Sequence, residues 1–206
     1  RRSNRWARWL IAQGVVPEVK VALALPRSVE LTVAIWAVAK AGGAYVPIDP
    51  SYPAQRVENM LEDSGVAFGL GVGAASMSGT ACSWHLVDSA EFEAGVAELS
   101  GAALAVGERP STAPGNTAYV IFTSGSTGRP KGVAITNACL TNYAAEVERA
   151  AGISSTIVPR VPGFASPSFD ASVLEYLLAT SSGGALLYRP DEAVGGDELE
   201  EFLREQ

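Results

Sequence analysis

Between positions 123 and 132 the chain reads TSGSTGRPKG, in which three glycines and four hydroxyl residues surround one lysine. Gly125, Gly128 and Gly132 permit backbone angles closed to other residues and let amide N–H groups come close to an anion. Thr123, Ser124, Ser126 and Thr127 add hydroxyl donors, and Lys131 adds a mobile positive charge. A hydrogen bond to a charged group contributes about 1.5–3 kcal/mol net, so several together would hold a nucleoside triphosphate. The lysine stands out because the 15 basic residues comprise 12 arginines and only 3 lysines. The spacing is not that of a Walker loop, since Pro130 precedes Lys131 and Gly132 follows it, and no GxGxxG opens a helix after a strand. The same composition suits an exposed hairpin turn, so the residues alone leave a phosphate cradle and a plain surface loop both open.

The elements that must position this loop are an apolar strand before it, 118–123 (AYVIFT), and a second strand after it, 133–136. Upstream, Trp6, Trp9 and Leu10 share a helical face after Ser3, with Gly14 as the stop. A strand at 19–25 follows, and then a helix capped by Ser28 that runs to Lys40 and ends at Gly42 and Gly43. A strand at 44–48 leads through the Asp49-Pro50 turn to a helix with Pro53 in its first position and Gly65 at its end, and 66–70 is again a strand. Residues 71–115 carry the weakest pattern, with a strand at 84–87 and a helix from Ser89. Asn137 is positioned to cap a helix to about Ala150, an extended segment continues through Pro167, and a helix then runs to Gly183. A strand at 185–188 and a charged helix at 197–204 complete the pattern. Strands alternating with helices of this length predict an α/β fold of layered, mostly parallel sheets with flanking helices.

Composition excludes several functional classes. With 206 residues, 48% hydrophobic and 18% charged, the chain has the make-up of a folded domain or part of a larger one. Its apolar run at 31–39 stops at Lys40 after about half the 18–20 residues a spanning helix needs, so no membrane partner is expected. A net charge of -7 disfavours a nucleic acid partner. Two cysteines, Cys82 and Cys139, and one histidine, His85, form no zinc pattern and no disulfide framework, which suits a cytoplasmic location and predicts no metal site. His85 reads as a surface or satisfied core histidine, and Trp6, Trp9, Trp36 and Trp84 read as packing. The acidic run 191–205 reads as a solvated helix face.

The full string VIFTSGSTGRPKGV closely resembles the signature loop of the adenylate-forming superfamily, which comprises acyl-CoA synthetases, luciferases and the adenylation domains of nonribosomal peptide synthetases. Two segments agree in order: KAGGAYVPIDPSYPAQRVENMLEDSG resembles the upstream core motif and FASPSFDASVLEYL the downstream one, both worded as in the peptide-synthetase branch. The resemblance implies an enzyme that joins an amino acid to AMP from ATP, with Mg2+, and passes the acyl group to a phosphopantetheine thiol. By position, Thr123, Ser124, Gly125, Ser126, Thr127, Gly128 and Lys131 would hold the phosphates. Asp170 would pair with the substrate α-ammonium, Ala171 and Leu174 would line the side-chain pocket, and Phe169 would be the aromatic gate beside the acyl site. Read without the motif, Asp170 is a helix cap and the other three are ordinary packing residues.

The branch frequently has a histidine where Asn137 stands, which leaves any role of that histidine open here. The resemblance also implies an incomplete N-terminal part of the large adenylate-forming subdomain. The segments for adenine, ribose and magnesium, and the C-terminal subdomain with the catalytic lysine, would lie beyond residue 206, so no catalytic residue is expected within the chain and the segment is expected to be inactive alone. The partners it brings into view are the amino acid, a peptidyl carrier protein domain, the remainder of the adenylation domain and a small MbtH-like accessory protein. An acyl-CoA or aryl-acid ligase of the same superfamily, and a catalytically silent nucleotide-binding scaffold, are the competing readings.

Overall fold

The computed structural model describes residues 1–73, 82–124, 129–152, 158–181, 183–188 and 195–205. The chain divides into two compact units, Arg1–Leu140 and Thr141–Gln206.

The first unit is built on a six-stranded sheet in the order β4-β3-β1-β2-β5-β6. Its members are β1 (Lys20–Ala24), β2 (Ala44–Pro47), β3 (Phe68–Gly71), β4 (Ser83–Leu86), β5 (Thr117–Thr123) and β6 (Lys131–Thr136). All neighbouring pairs are parallel except β5 and β6, which form an antiparallel hairpin. The layered, mostly parallel α/β fold read from the alternating pattern is therefore what the chain adopts. Strands β1, β2 and β5 are near-continuous apolar runs because both faces of the sheet are covered. On one face Ala22, Ala24, Val46, Ile48, Val120 and Phe122 pack with Val57, Met60 and Leu61 of helix α3 (Ala54–Ser64). Tyr45 and Tyr119 stack at 5.4 Å between ring centroids, side by side in the β2–β5 register.

Helices α1 (Arg2–Ala12) and α2 (Val29–Ala41) pack on each other. Ser28 caps α2 by accepting from the Leu31 N–H at 3.2 Å, and Gly42 ends it in the left-handed region at φ 86°. Ser3 does not cap α1, which starts at Arg2, two residues earlier than a cap at Ser3 would require. Instead its Oγ, together with Asn4 Oδ1, accepts from Lys40 Nζ at 2.8 and 2.7 Å. Pro53 occupies the N-cap of α3 rather than its first turn. Helix α4 (Ala90–Ala97) is capped by Ser89 as read, and Trp6 and Trp9 pack edge-on against its Phe92. Trp36 departs from its packing role, since it is 44% exposed.

The second unit contains most of α5 (Asn137–Ala150), then β7 (Arg160–Gly163), α6 (Ala171–Thr180), β8 (Ala185–Tyr188) and α7 (Gly196–Glu205). Strands β7 and β8 pair in parallel and α6 packs on both, a small βαβ unit. The segment read as merely extended thus holds a strand. Thr136, not Asn137, caps α5, accepting from the Cys139 N–H at 3.3 Å. No residue of α7 is buried, in keeping with a solvated charged helix. Among the described residues, no helix is long and apolar enough to cross a membrane.

Candidate functional site

The loop that carries the glycines and hydroxyls connects β5 to β6 at the carboxyl end of β5. Phe122, buried among Val120, Val46 and Met60, fixes the end of the strand, so the next residue, Thr123, emerges into solvent. Hairpin register sets Thr123 opposite Lys131 and Phe122 opposite Gly132. The Thr123 hydroxyl donates across the mouth to the Lys131 carbonyl at 3.5 Å, closing the two arms on each other. Thr123, Ser124 and Lys131 all expose their side chains there. Gly125, Ser126, Thr127 and Gly128 lie outside the described residues.

Gly132 differs from its expected part. It sits within β6, and its φ is not among the positive ones. A Cβ there would lie 3.0 Å from Val120 Cγ1 and 3.2 Å from Phe122 Cζ, so the glycine makes room for core side chains.

Four carboxylates that carry no motif signal of their own in the sequence, Glu18, Glu62, Asp63 and Glu175, hold the supporting elements. At the start of β5, Glu18 accepts from the Thr117 N–H at 3.0 Å, the Thr117 hydroxyl at 2.9 Å and Asn116 Nδ2 at 2.9 Å. The Asn116 bond, and then those to Thr117, keep its carboxyl below the ordinary range. Glu18 does this at φ 70°, a conformation that a non-glycine residue adopts only when its surroundings demand it. Past the loop, Arg129 Nε and Nη2 donate to Asp63 of α3 at 3.1 and 2.6 Å, with Glu62 Oε2 3.5 Å from Nη2. In the second unit, Glu175 Oε1 accepts from the Phe164 and Ala165 N–H groups, both at 3.0 Å.

Glu175 lies on α6, so its bonds close the segment between β7 and α6 that bears Phe169 and Asp170. Asp170 is the N-cap residue of α6 in position only: its backbone is αR and its side chain makes no cap hydrogen bond. Ser172 instead turns back, donating to the Phe169 carbonyl at 2.7 Å. Asp170 and Ala171 are exposed, and Phe169 is 63% exposed. Leu174, one turn on, lines a groove of about 440 Å³ with Tyr143, Glu146, Val147 and Leu178. The structure therefore brings Thr123 and Lys131 together in one unit, and Phe169, Asp170 and Ala171 together in the other.

The remaining singled-out residues have structural partners. His85 packs edge-on against Trp9 and at a tilt against Phe68, with ring centroids 5.0 and 4.6 Å apart, and burial lowers its pKa, opposed by the charge of Glu91. Burial pushes the Cys82 thiol up to about 11, and Cys139 is exposed; both are free. Among the described residues, no cluster of three or more His, Cys, Asp or Glu is arranged to hold a metal ion.

A mostly parallel sheet that ends in an antiparallel hairpin, with a glycine- and hydroxyl-rich sequence joining the two strands of that hairpin, defines an α/β subdomain. The chain belongs to the AMP-binding enzyme family, which it matches over residues 1–205. It is 41% identical over 208 residues to novobiocin biosynthesis protein H of Streptomyces niveus, covering 99% of this chain and 34% of that protein. Bacitracin synthase 3 of Bacillus licheniformis is 37% identical over 99% of this chain, which corresponds to 3% of the synthase. The chain thus spans about a third or less of these relatives. Among solved structures, the nonribosomal peptide synthetase FmoA3 superposes with a TM-score of 0.82 at 27% identity, over 99% of this chain and 21% of that one. The N-terminal subdomain of Klebsiella oxytoca NpsA, bound to 3-hydroxybenzoyl-AMSN, shares the fold at TM-score 0.77, covering 99% of this chain and 48% of that one.

Proposed function

We propose that residues 1–206 form the N-terminal portion of an adenylation domain that activates an α-amino acid for nonribosomal peptide synthesis. In this reaction a carboxylate oxygen of the amino acid attacks the α-phosphorus of ATP, the bond to the bridging oxygen breaks, and pyrophosphate leaves with the electron pair. Such chemistry is dominated by positioning and by neutralising charge on the phosphates. Thr123, Ser124, Gly125, Ser126, Thr127, Gly128 and Lys131 hold the β- and γ-phosphates in this reading. Asp170 pairs with the α-ammonium, with Ala171, Leu174 and Phe169 beside the substrate side chain. A charge-assisted contact of that kind selects amino acids over fatty acids. The phosphopantetheine thiol of a carrier protein in the cytoplasm then attacks the acyl carbonyl of the adenylate, the acyl–phosphate bond breaks and AMP leaves with the electron pair, while Mg2+, with ligands outside this segment, would neutralise phosphate charge. The C-terminal subdomain, with its catalytic lysine, belongs to the remainder of the adenylation domain in this reading, and a small MbtH-like protein is a further partner of the domain.

One observation carries this reading: the hairpin register sets Lys131 against Thr123 at the mouth of the loop. Ligands of open α/β sheets bind beyond the carboxyl ends of the strands, which is where this loop lies. The absence of a cap bond from Asp170 leaves its carboxylate open to a ligand and supports the second half of the assignment. The test is pyrophosphate exchange by the complete polypeptide that carries this segment, across amino acids and aryl and fatty acids, beside Asp170→Ala. Exchange with one or a few amino acids, lost in the variant, is expected. Exchange with an acid lacking an α-amino group, indifferent to Asp170, would move the protein to the acyl or aryl branch. ATP binding without any exchange would leave a silent scaffold.

A further inference from the structure

Arg129 joins the loop to an element 66 positions upstream. Its pair with Asp63 is side-on and bidentate, Nε to Oδ2 at 3.1 Å and Nη2 to Oδ1 at 2.6 Å. A planar guanidinium on a carboxylate fixes direction as well as distance. Two residues on, Lys131 is already held by strand pairing to Thr123, and Pro130 between them has a locked φ. The arm leading to the lysine is thereby constrained from both ends. Glu62, 3.5 Å from the same guanidinium, adds a second carboxylate at this end of α3.

Two roles for Arg129 differ in sign. If it were a phosphate-binding cation held back by Asp63, freeing it would strengthen ATP binding. If the pair instead orients the loop, freeing Arg129 would weaken binding, and removing Arg129 would weaken it further by leaving two bare carboxylates near an anion site. The bidentate geometry and the fixed flanks favour orientation. Asp63 is also the more sheltered partner, its side chain 33% exposed against 56% for Arg129.

We propose that Asp63 is a positioning residue for nucleotide binding, which acts through Arg129 to fix the arm of the loop that carries Lys131. The inference rests on the reading that this loop holds the phosphates of ATP. The test uses the complete polypeptide and compares Asp63→Asn, Arg129→Ala and the exchanged pair Asp63→Arg with Arg129→Asp. KM values for ATP and for the amino acid are measured alongside hydrogen exchange of peptides covering 123–133 without nucleotide. Exposed ion pairs of this kind have modest strength, so the ATP KM should rise about 2–5-fold in each single variant, more in Arg129→Ala, with the amino acid KM unchanged. Exchange at 123–133 should quicken in both single variants, and the exchanged pair should restore both readouts. A lower ATP KM in Asp63→Asn, or single variants identical to the parent, would overturn the proposal. If the parent shows no ATP dependence at all, the phosphate reading fails. The role in nucleotide binding then falls with it, and nucleotide-free exchange separates the two failures: quickening in the single variants with restoration in the pair upholds the ordering of the loop arm by Asp63 through Arg129, and no change removes that as well.

Discussion

Removing the Glu175 carboxylate should damage amino acid binding and spare ATP binding. Its Oε1 accepts two backbone N–H groups at 3.0 Å each, and those bonds fold the residues after β7 back onto α6. Bonds to a charged acceptor contribute about 1.5–3 kcal/mol each when shielded. Glu175 is half-buried and the Phe164 amide is partly solvated, so about 2 kcal/mol for the two together is the appropriate scale. That energy is about 30-fold in the equilibrium between the closed and the released segment. Glu175→Ala should therefore raise the amino acid KM by up to about 30-fold, because Asp170 and Phe169 lie on the released segment. In Glu175→Gln an amide oxygen still accepts, but as a neutral group with about half the strength, which leaves about a 5-fold rise. Pyrophosphate exchange on the complete polypeptide, with each substrate varied in turn, reads both constants. The reasoning fails if the two KM values move together, or if Glu175→Ala leaves the amino acid KM where it was.

Gly69→Ala should destabilise the β3–β4 edge by about 1–3 kcal/mol, since the new Cβ would lie 2.4 Å from Trp84 Cζ3 and 2.5 Å from Cε3, atoms of a rigid indole. Denaturant-dependent hydrogen exchange of peptides from β3 and β4 measures this, and unchanged protection would refute the overpacking. The carboxyl of Glu18 is lowered, so its bonds to Asn116 and Thr117 stabilise the fold above the ordinary carboxylate range and are lost as pH falls through its depressed value. Glu18→Gln should flatten the acid limb of the stability profile of β5 while the neutral-pH value drops; a parallel shift at all pH values would contradict the assignment.

Much of the fold could be read from local signals because those signals were strong and mutually consistent. Ser28 and Gly42 bound α2 by the cap chemistry expected of them, and the apolar runs of β1, β2 and β5 reflect burial on both faces. Strand β7 was hidden by Pro162 and Gly163, which argue against a sheet interior. A two-stranded sheet has no interior, so both residues are tolerated there. Thr136 displaced Asn137 as the cap of α5 because either residue satisfies cap chemistry and only the path out of β6 decides between them. Within the site, the loop and Asp170 could be named from motif wording. Glu175, Glu18 and the Asp63–Arg129 pair could not, since each acts on backbone or side chains brought near by the fold. Gly132 was legible as a glycine but not for its reason, which is the packing of Val120 and Phe122 against its α-carbon.

The most direct test of the central claim is the fate of ATP. The complete polypeptide, given ATP, its amino acid and hydroxylamine, should release AMP and pyrophosphate in equal amounts and yield the aminoacyl hydroxamate, with all three reduced together in Lys131→Ala and Asp170→Ala. ADP and inorganic phosphate as products, or AMP formation that ignores both substitutions, would contradict the account.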